Sequence, residues 1–462
     1  VKLSFAILLF FSSLSFAGPM QTISSVSELN AYLNEAHFNG VLLVSKNEEI
    51  LFKKAFGVKD FVSNSPLTTN DRFQIGSVTK QFVAASILKL QEENKLSIDD
   101  DVTKYLPEYA VYKGIKIRDV LNHTSGIANY TDQKGFFQSL DPNRSPTLAD
   151  LITAFTKYPS DFAPTTNWKY SNSGYIIAGR VVEVVSQKSW SNFIKEHFLT
   201  PLGMADTGYV ENFAEVSDVI GHMDRGQGPV PFQMNLSWAA AAGGIYSTVD
   251  DLAKWTAIYD SSALLSEHSK AQMQTPFMNG YALGISVGTS NGETKITHGG
   301  RTPGFTTKLT YLKNSKLRVV KFDNTDGGIV DPETIALNLF YKGKAEAIKV
   351  KPYLVDTARL SEYTGLFKGD GMNFNVFLKE NELYLQPDDG NPLYKLGANE
   401  NDSFRLMGID SEEFLRDEAG KVVAVRHYQG GGISEFIKQT PAVPQFTLKE
   451  LTFSSRPFSL VW

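Results

Sequence analysis

Ser77-Val78-Thr79-Lys80 carries an alcohol and an amine three positions apart, a spacing that a helix turns into two groups on one face, one turn from each other. Serine is a weak nucleophile until a neighbouring base takes its proton, and an amine near a helix N-terminus has a lowered pKa and can serve as that base. The competing role for a serine ahead of an apolar helical stretch is an N-cap. Two further groups bring suitable chemistry. Tyr170 and Asn172 flank Ser171 just before a helical run, and a turn there points both side chains the same way. His298-Gly299-Gly300 follows a strand-like segment, where paired glycines let a ligand lie directly against backbone. Taken singly, Tyr170 reads as a core or turn aromatic and His298 as a hydrogen-bonded structural histidine. Their order and separation after Ser77 and Lys80 make them candidate site residues.

These groups need elements to hold them. Residues 25–35 read as a first helix, and residues 40–45 and 49–57 as a hairpin. Residues 78–91 are apolar on nearly every side, the pattern of a buried central helix, so Lys80 is expected to be partly desolvated. Burial and the helix dipole lower its pKa, while a neighbouring phenolate would raise it. Further helices are expected at 118–121, 148–157, 175–185, 191–198 and 247–255, and strands at 281–287, 294–298, 306–312 and 317–323. Strands, then helices, then strands predict an α+β fold, an antiparallel sheet flanked by helices with an all-helical subregion. After Lys344 the composition changes, and the first domain is expected to end near residue 348. Short alternating segments at 373–378, 382–385, 403–407, 413–416, 422–428 and 435–438 predict a small β-barrel within 349–445, with 446–462 as an unassigned tail. Gly430-Gly431-Gly432 reads as a hairpin turn, since no helix start follows it.

Several stretches together carry a resemblance: Phe73-Gln74-Ile75-Gly76-Ser77-Val78-Thr79-Lys80, Leu121-Asn122-His123-Thr124-Ser125-Gly126, Trp168-Lys169-Tyr170-Ser171-Asn172-Ser173-Gly174-Tyr175, Pro201-Leu202-Gly203-Met204 and Ala242-Gly243-Gly244-Ile245-Tyr246-Ser247-Thr248. From about residue 25 to 345 the chain resembles the serine β-lactamase and penicillin-binding-protein superfamily, in particular its class C-like branch of β-lactamase-related hydrolases, which includes esterases and D-amino-acid peptidases. The resemblance implies a β-lactamase/transpeptidase-like domain over residues 18–348 and a lipocalin-like barrel after it. It implies Ser77 as nucleophile, with Lys80 and Tyr170 removing and relaying its proton. An oxyanion hole would come from the backbone N–H groups of Ser77 and Arg301, beyond Gly299 and Gly300. Asn172 would hold the substrate amide or the lysine. His298 would bond the tyrosine network and, when protonated, favour a phenolate at Tyr170. The absence of a Glu-x-x-Leu-Asn segment favours a tyrosine-based mechanism. The third motif departs from Lys-Thr-Gly, exchanging a permanent cation for a histidine, which favours esters or D-amino-acid peptides over β-lactams as substrates. Arg301 could restore positive charge there, depending on the direction of its side chain, which the sequence leaves open.

A rival nucleophile, Ser286 in Gly284-Ile285-Ser286-Val287-Gly288, matches the hydrolase elbow G-x-S-x-G, but that elbow requires a helix straight after the serine and turn sequence follows instead.

With 462 residues and 42% hydrophobic content, the chain exceeds one typical core. Its 45 basic and 50 acidic residues leave a net charge of only −5, with no basic run to meet nucleic acid. Cysteine is absent, which removes disulfides and thiolate chemistry, and the seven histidines show no zinc-hydrolase spacing, so neither metal nor cofactor is expected. Residues 1–17 have the form of a secretory signal: Lys2, an apolar run from Phe5 to Phe11, and a small-x-small site at Ser15-Phe16-Ala17. That run is too short to span a bilayer, so no stable transmembrane anchor is expected and the product is placed in the periplasm or outside the cell. The partner expected is a small-molecule or peptide substrate, peptidoglycan fragments among the candidates. A second reading keeps the fold as a catalytically idle module that recognises cell-wall peptides or a protein.

Overall fold

The helix Thr79–Glu92 is apolar all round because it runs through the middle of the protein, as a computed structural model shows; Phe82, Val83, Ile87, Leu88 and Leu90 are all buried. The structure describes residues 20–139, 144–224, 229–325, 330–348, 356–369, 372–388, 394–400, 402–407, 410–429 and 432–439. The signal-like segment, the 446–462 tail and Gly430-Gly431 lie outside them.

Against this helix stands a six-stranded antiparallel sheet, in the order Glu49–Phe56, Gly40–Lys46, Leu317–Asp323, Phe305–Leu312, Glu293–Thr302, Ser286–Ser290. The expected hairpin near the N-terminus therefore pairs with strands from the far end of the domain, Val44 opposite Val319. The period of two gives the sheet two buried faces. Leu42, Val44, Leu312, Leu317 and Val319 pack beneath the helices Val26–Glu35 and Pro332–Lys342. Val41, Leu43, Leu309, Tyr311 and Val320 face the central helix and join the large core. The all-helical subregion, including Leu148–Phe155 and Asn172–Ser186, shares that core. The helix Val26–Glu35 starts where its N-cap predicts, Ser25 accepting the N–H of Glu28.

One expected strand is displaced. Instead of 281–287 the structure forms Ser286–Ser290, and Tyr281 to Ile285 is a buried, bent segment. Its departure from the sheet carries the Tyr281 hydroxyl to His298, 2.9 Å away. A polar anchor inside the protein outweighs the β propensity of the sequence.

The C-terminal region is a closed eight-stranded barrel running from Gly365–Gly369 to Gly432–Lys438. Two of its strands escape the sequence reading, Gly365–Gly369 and Tyr394–Glu400, because glycine and asparagine dilute their alternation. Its interior is filled with rings: Tyr363 meets Phe404 at 4.8 Å between centroids, Phe374 meets Phe436 at 4.8 Å, and Phe367 meets Phe374 at 5.6 Å. Among the described residues the barrel has a packed core rather than a hollow for a ligand.

Candidate active site

Ser77 lies in the single 3₁₀ turn Gly76–Val78 that leads into the central helix. It does not cap that helix, whose start has no side-chain cap bond. Its Oγ instead stands 2.9 Å from Lys80 Nζ. Lys80 is fully buried, and Nζ also lies 2.8 Å from Asn172 Oδ1 and 2.7 Å from the carbonyl oxygen of Ala242. No carboxylate pairs with it among the described residues, and burial pushes its pKa well below the ordinary lysine value. The competition left open by the sequence, burial against a phenolate, is thus decided by burial.

The three neighbours of Nζ suit the neutral amine. Two are carbonyl oxygens that can only accept, so they take the two N–H groups and leave the lone pair for the Ser77 hydroxyl. Once the amine holds the serine proton, the ammonium finds three acceptors in place. Asn172 is fixed for this role, since its Nδ2 donates to Thr131 Oγ1 at 3.1 Å and its backbone N–H donates to Asn129 Oδ1 at 2.9 Å.

Tyr170 completes the group. Its ring centroid is 4.8 Å from Lys80 Nζ, and the Ser77 side chain lies near enough to its hydroxyl to influence its ionisation. Burial raises the phenol above its usual range, with the nearby Ser77 side chain opposing only part of that shift. Burial thus favours the uncharged form of both groups, the amine and the phenol.

His298 requires a correction. It bonds the tyrosine network as expected, through Tyr281, whose ring meets that of Tyr170, but its charge is not the one expected. The close contact of Nδ1 with the Gly299 carbonyl puts the ring proton there, so Nε2 accepts the Tyr281 hydroxyl. Burial first, then the Lys80 charge, lowers the His298 pKa to about 3. An imidazolium that would stabilise a Tyr170 phenolate is therefore absent between pH 5 and 8. The activity profile in that range should show no inflection from His298. Stability behaves differently: between about pH 6.5 and 3 the unfolded chain binds a proton that the folded one refuses, so stability falls as pH falls through that window. Comparing the melting temperature of wild type and His298→Gln from pH 7 to 4 checks this, the variant showing the shallower slope.

The strand Glu293–Thr302 passes so close to the nucleophile turn that side chains are impossible at two positions. A Cβ on Gly300 would lie 1.8 Å from the Ile75 carbonyl oxygen, and one on Gly76, whose φ is 50°, would lie 2.5 Å from the Arg301 nitrogen. This contact brings the backbone N–H groups of Ser77 and Arg301 to the same small region, the arrangement an oxyanion needs. Gly299 has no such constraint; a Cβ there would find nothing nearer than 3.8 Å. Alternation along the strand sets the Arg301 side chain on the sheet face opposite His298 and Gly300, so the guanidinium does not replace the missing cation beside His298.

Ser286 is remote in chemistry: it opens the edge strand Ser286–Ser290, opposite Thr297, with no helix after it. Sequence reasoning missed Ala242, Tyr281, Asn129 and Thr131. Ala242 acts through its carbonyl, which no side-chain pattern can signal; the others show only as isolated polar residues in irregular segments.

Residues 26–342 match the family described as Beta-lactamase. A putative penicillin-binding protein of Bacillus subtilis, PbpX, is 29% identical over 66% of this chain and 75% of its own. In structure, the octameric penicillin-binding protein homologue from Pyrococcus abyssi covers 90% of this chain and 100% of its own at a TM-score of 0.61 and 23% identity. The D-amino acid amidase from Ochrobactrum anthropi SV3 covers 67% of this chain and 94% of its own at 0.56 and 24%. Those two likenesses concern the fold. The family match spans more than half of the chain and includes every residue gathered around Ser77: the chain belongs to the Beta-lactamase family, within the serine β-lactamase and penicillin-binding-protein superfamily.

Proposed function

We propose that this protein is an exported serine hydrolase that cleaves esters or D-amino-acid-containing peptides through a covalent acyl-enzyme. The observation that carries the reading is the buried Lys80 amine, held by two carbonyl acceptors with its third neighbour the Ser77 hydroxyl. Ser77 Oγ attacks the substrate carbonyl carbon as its proton passes to Lys80 Nζ, and the carbonyl electron pair moves onto oxygen. The N–H groups of Ser77 and Arg301 receive that oxyanion. Collapse breaks the bond to the leaving amine or alcohol, which takes a proton from the Tyr170 hydroxyl while Tyr170 recovers one from Lys80. Water then attacks the acyl carbon, gives its proton to the same amine, and the serine leaves with a proton returned to it.

The family's relatives include proteins named for penicillin binding and for D-amino acid amidase activity, which supports a D-amino-acid peptide or amide as the substrate class. The signal-like segment 1–17 supports export towards cell-wall peptides. No helix among the described residues is long and apolar enough to cross a membrane. The neutral His298, in place of a permanent cation, supports esters and peptides over β-lactams. Turnover of a chromogenic short-chain ester, a D-alanyl dipeptide amide and a penicillin tests this ranking; a penicillin cleaved fastest would overturn it. Tyr170→Phe removes the relayed proton and should lower kcat by about 10² to 10⁴. A rate within twofold of wild type would take Tyr170 out of the relay.

A further inference from the structure

His123 puts one more titratable ring in this site, and the reaction above gives it no task. It is 1% exposed and holds a left-handed backbone, φ 65°, which histidine adopts at a cost. Its Nδ1 accepts the backbone N–H of Ser171 at 3.2 Å, so the ring proton sits on Nε2. Nε2 is closed off from water and has no hydrogen-bond partner among the described residues. A buried donor without an acceptor costs about 1–3 kcal/mol. Neither the backbone conformation nor the buried Nε2 donor therefore favours histidine here for stability.

What the ring touches is the catalytic tyrosine and its neighbours. Its centroid lies 4.3 Å from that of Tyr170, 4.5 Å from Tyr281 and 5.5 Å from Tyr175. The Ser171 N–H that it accepts belongs to the residue between Tyr170 and Asn172, which carry the phenol and the amide around Lys80. One side chain thus grips the turn by its backbone and braces the phenol by its face.

We propose that His123 is the positioning residue for Tyr170, Nδ1 clamping the Tyr170-Ser171-Asn172 turn and the ring face setting the angle of the phenol over Ser77. The task needs the uncharged ring, because an imidazolium has no lone pair for the Ser171 N–H and would oppose the proton that Lys80 takes. The surroundings keep it uncharged: burial, then Lys80 and His298, hold its pKa well below the ordinary histidine value. The inference rests on the relay role proposed for Tyr170.

A double-mutant cycle tests it. His123→Asn tolerates the positive φ and can still accept from Ser171, but it has no ring face. It should lower kcat for the ester about 10- to 100-fold, with KM within twofold, as a misplaced relay does. In a Tyr170→Phe background the same change should cost nothing further, because the group it positions is already gone. His123→Gly, which suits the same φ, enters the cycle if the asparagine variant does not fold. A folded His123 variant with wild-type kcat overturns the proposal, and so does an equal loss in both backgrounds, which would mark a general structural role. A wild type that neither turns over ester nor labels with a fluorophosphonate would sink the hydrolase reading itself, a separate outcome.

Discussion

Ser77→Ala abolishes turnover of every substrate the protein accepts, a loss of about 10⁴-fold or more, while leaving the fold intact. The size follows from the site. Deleting Oγ removes the alcohol placed 2.9 Å from the Lys80 amine, so the proton-taking group loses the nucleophile it serves. The residual rate would come from the backbone donors of Ser77 and Arg301 alone, which survive the change. Folding is spared because Ser77 is half-buried and caps no helix. Ester turnover and a melting curve on the same preparation check both halves of the statement. Retention of even a hundredth of the activity in a folded variant would move the nucleophile elsewhere.

Lys80→Met should be nearly as damaging, costing about 10⁴-fold, since methionine fills a similar buried volume but its thioether is not basic enough to take the serine proton. The same substitution reports the charge state of the lysine. In the folded protein the amine sheds its proton well below the pH at which the unfolded chain sheds it. Across the window between those two values the unfolded state holds one more proton, so wild-type stability rises with pH relative to the methionine variant, by at most about 1.4 kcal/mol per pH unit. Urea unfolding of both proteins at pH 7 and pH 9.5 measures the difference. Parallel stabilities at the two values would mean that Lys80 is an ordinary ammonium and that the base lies elsewhere. Catalysis gives the matching sign, with activity rising as pH passes upward through the lysine's lowered value and the base becomes neutral.

The gathering of Ser77, Lys80, the Tyr-x-Asn turn and the His-Gly-Gly strand was legible because each is a side chain, or its absence, at a spacing that secondary structure converts into proximity. The central helix was legible for a similar reason: an apolar pattern on every side has one interpretation, burial, and burial told in advance that Lys80 would be partly desolvated. What stayed hidden depends on tertiary contact. The charge of His298 is set by its enclosure beside Lys80, which no local pattern reports. The strand expected at 281–287 was lost because Tyr281 turns inward to a partner across the fold. Ala242 contributes only a carbonyl, so its part in holding Lys80 leaves no trace in residue type. The barrel was visible in outline, but its filled interior rests on Tyr363 and on rings from five different strands, Phe367, Phe374, Phe404, Phe414 and Phe436, which meet only when the sheet closes.

The most direct test of the account is to trap the acyl-enzyme. Wild-type protein mixed with a short-chain activated ester, quenched in acid, weighed intact and then mapped by peptide should carry one acyl group, on Ser77, and the Ser77→Ala protein should carry none. An acyl group on any other residue, Ser286 included, or a folded and catalytically turning wild type that never carries one, would contradict the covalent mechanism centred on Ser77 and Lys80.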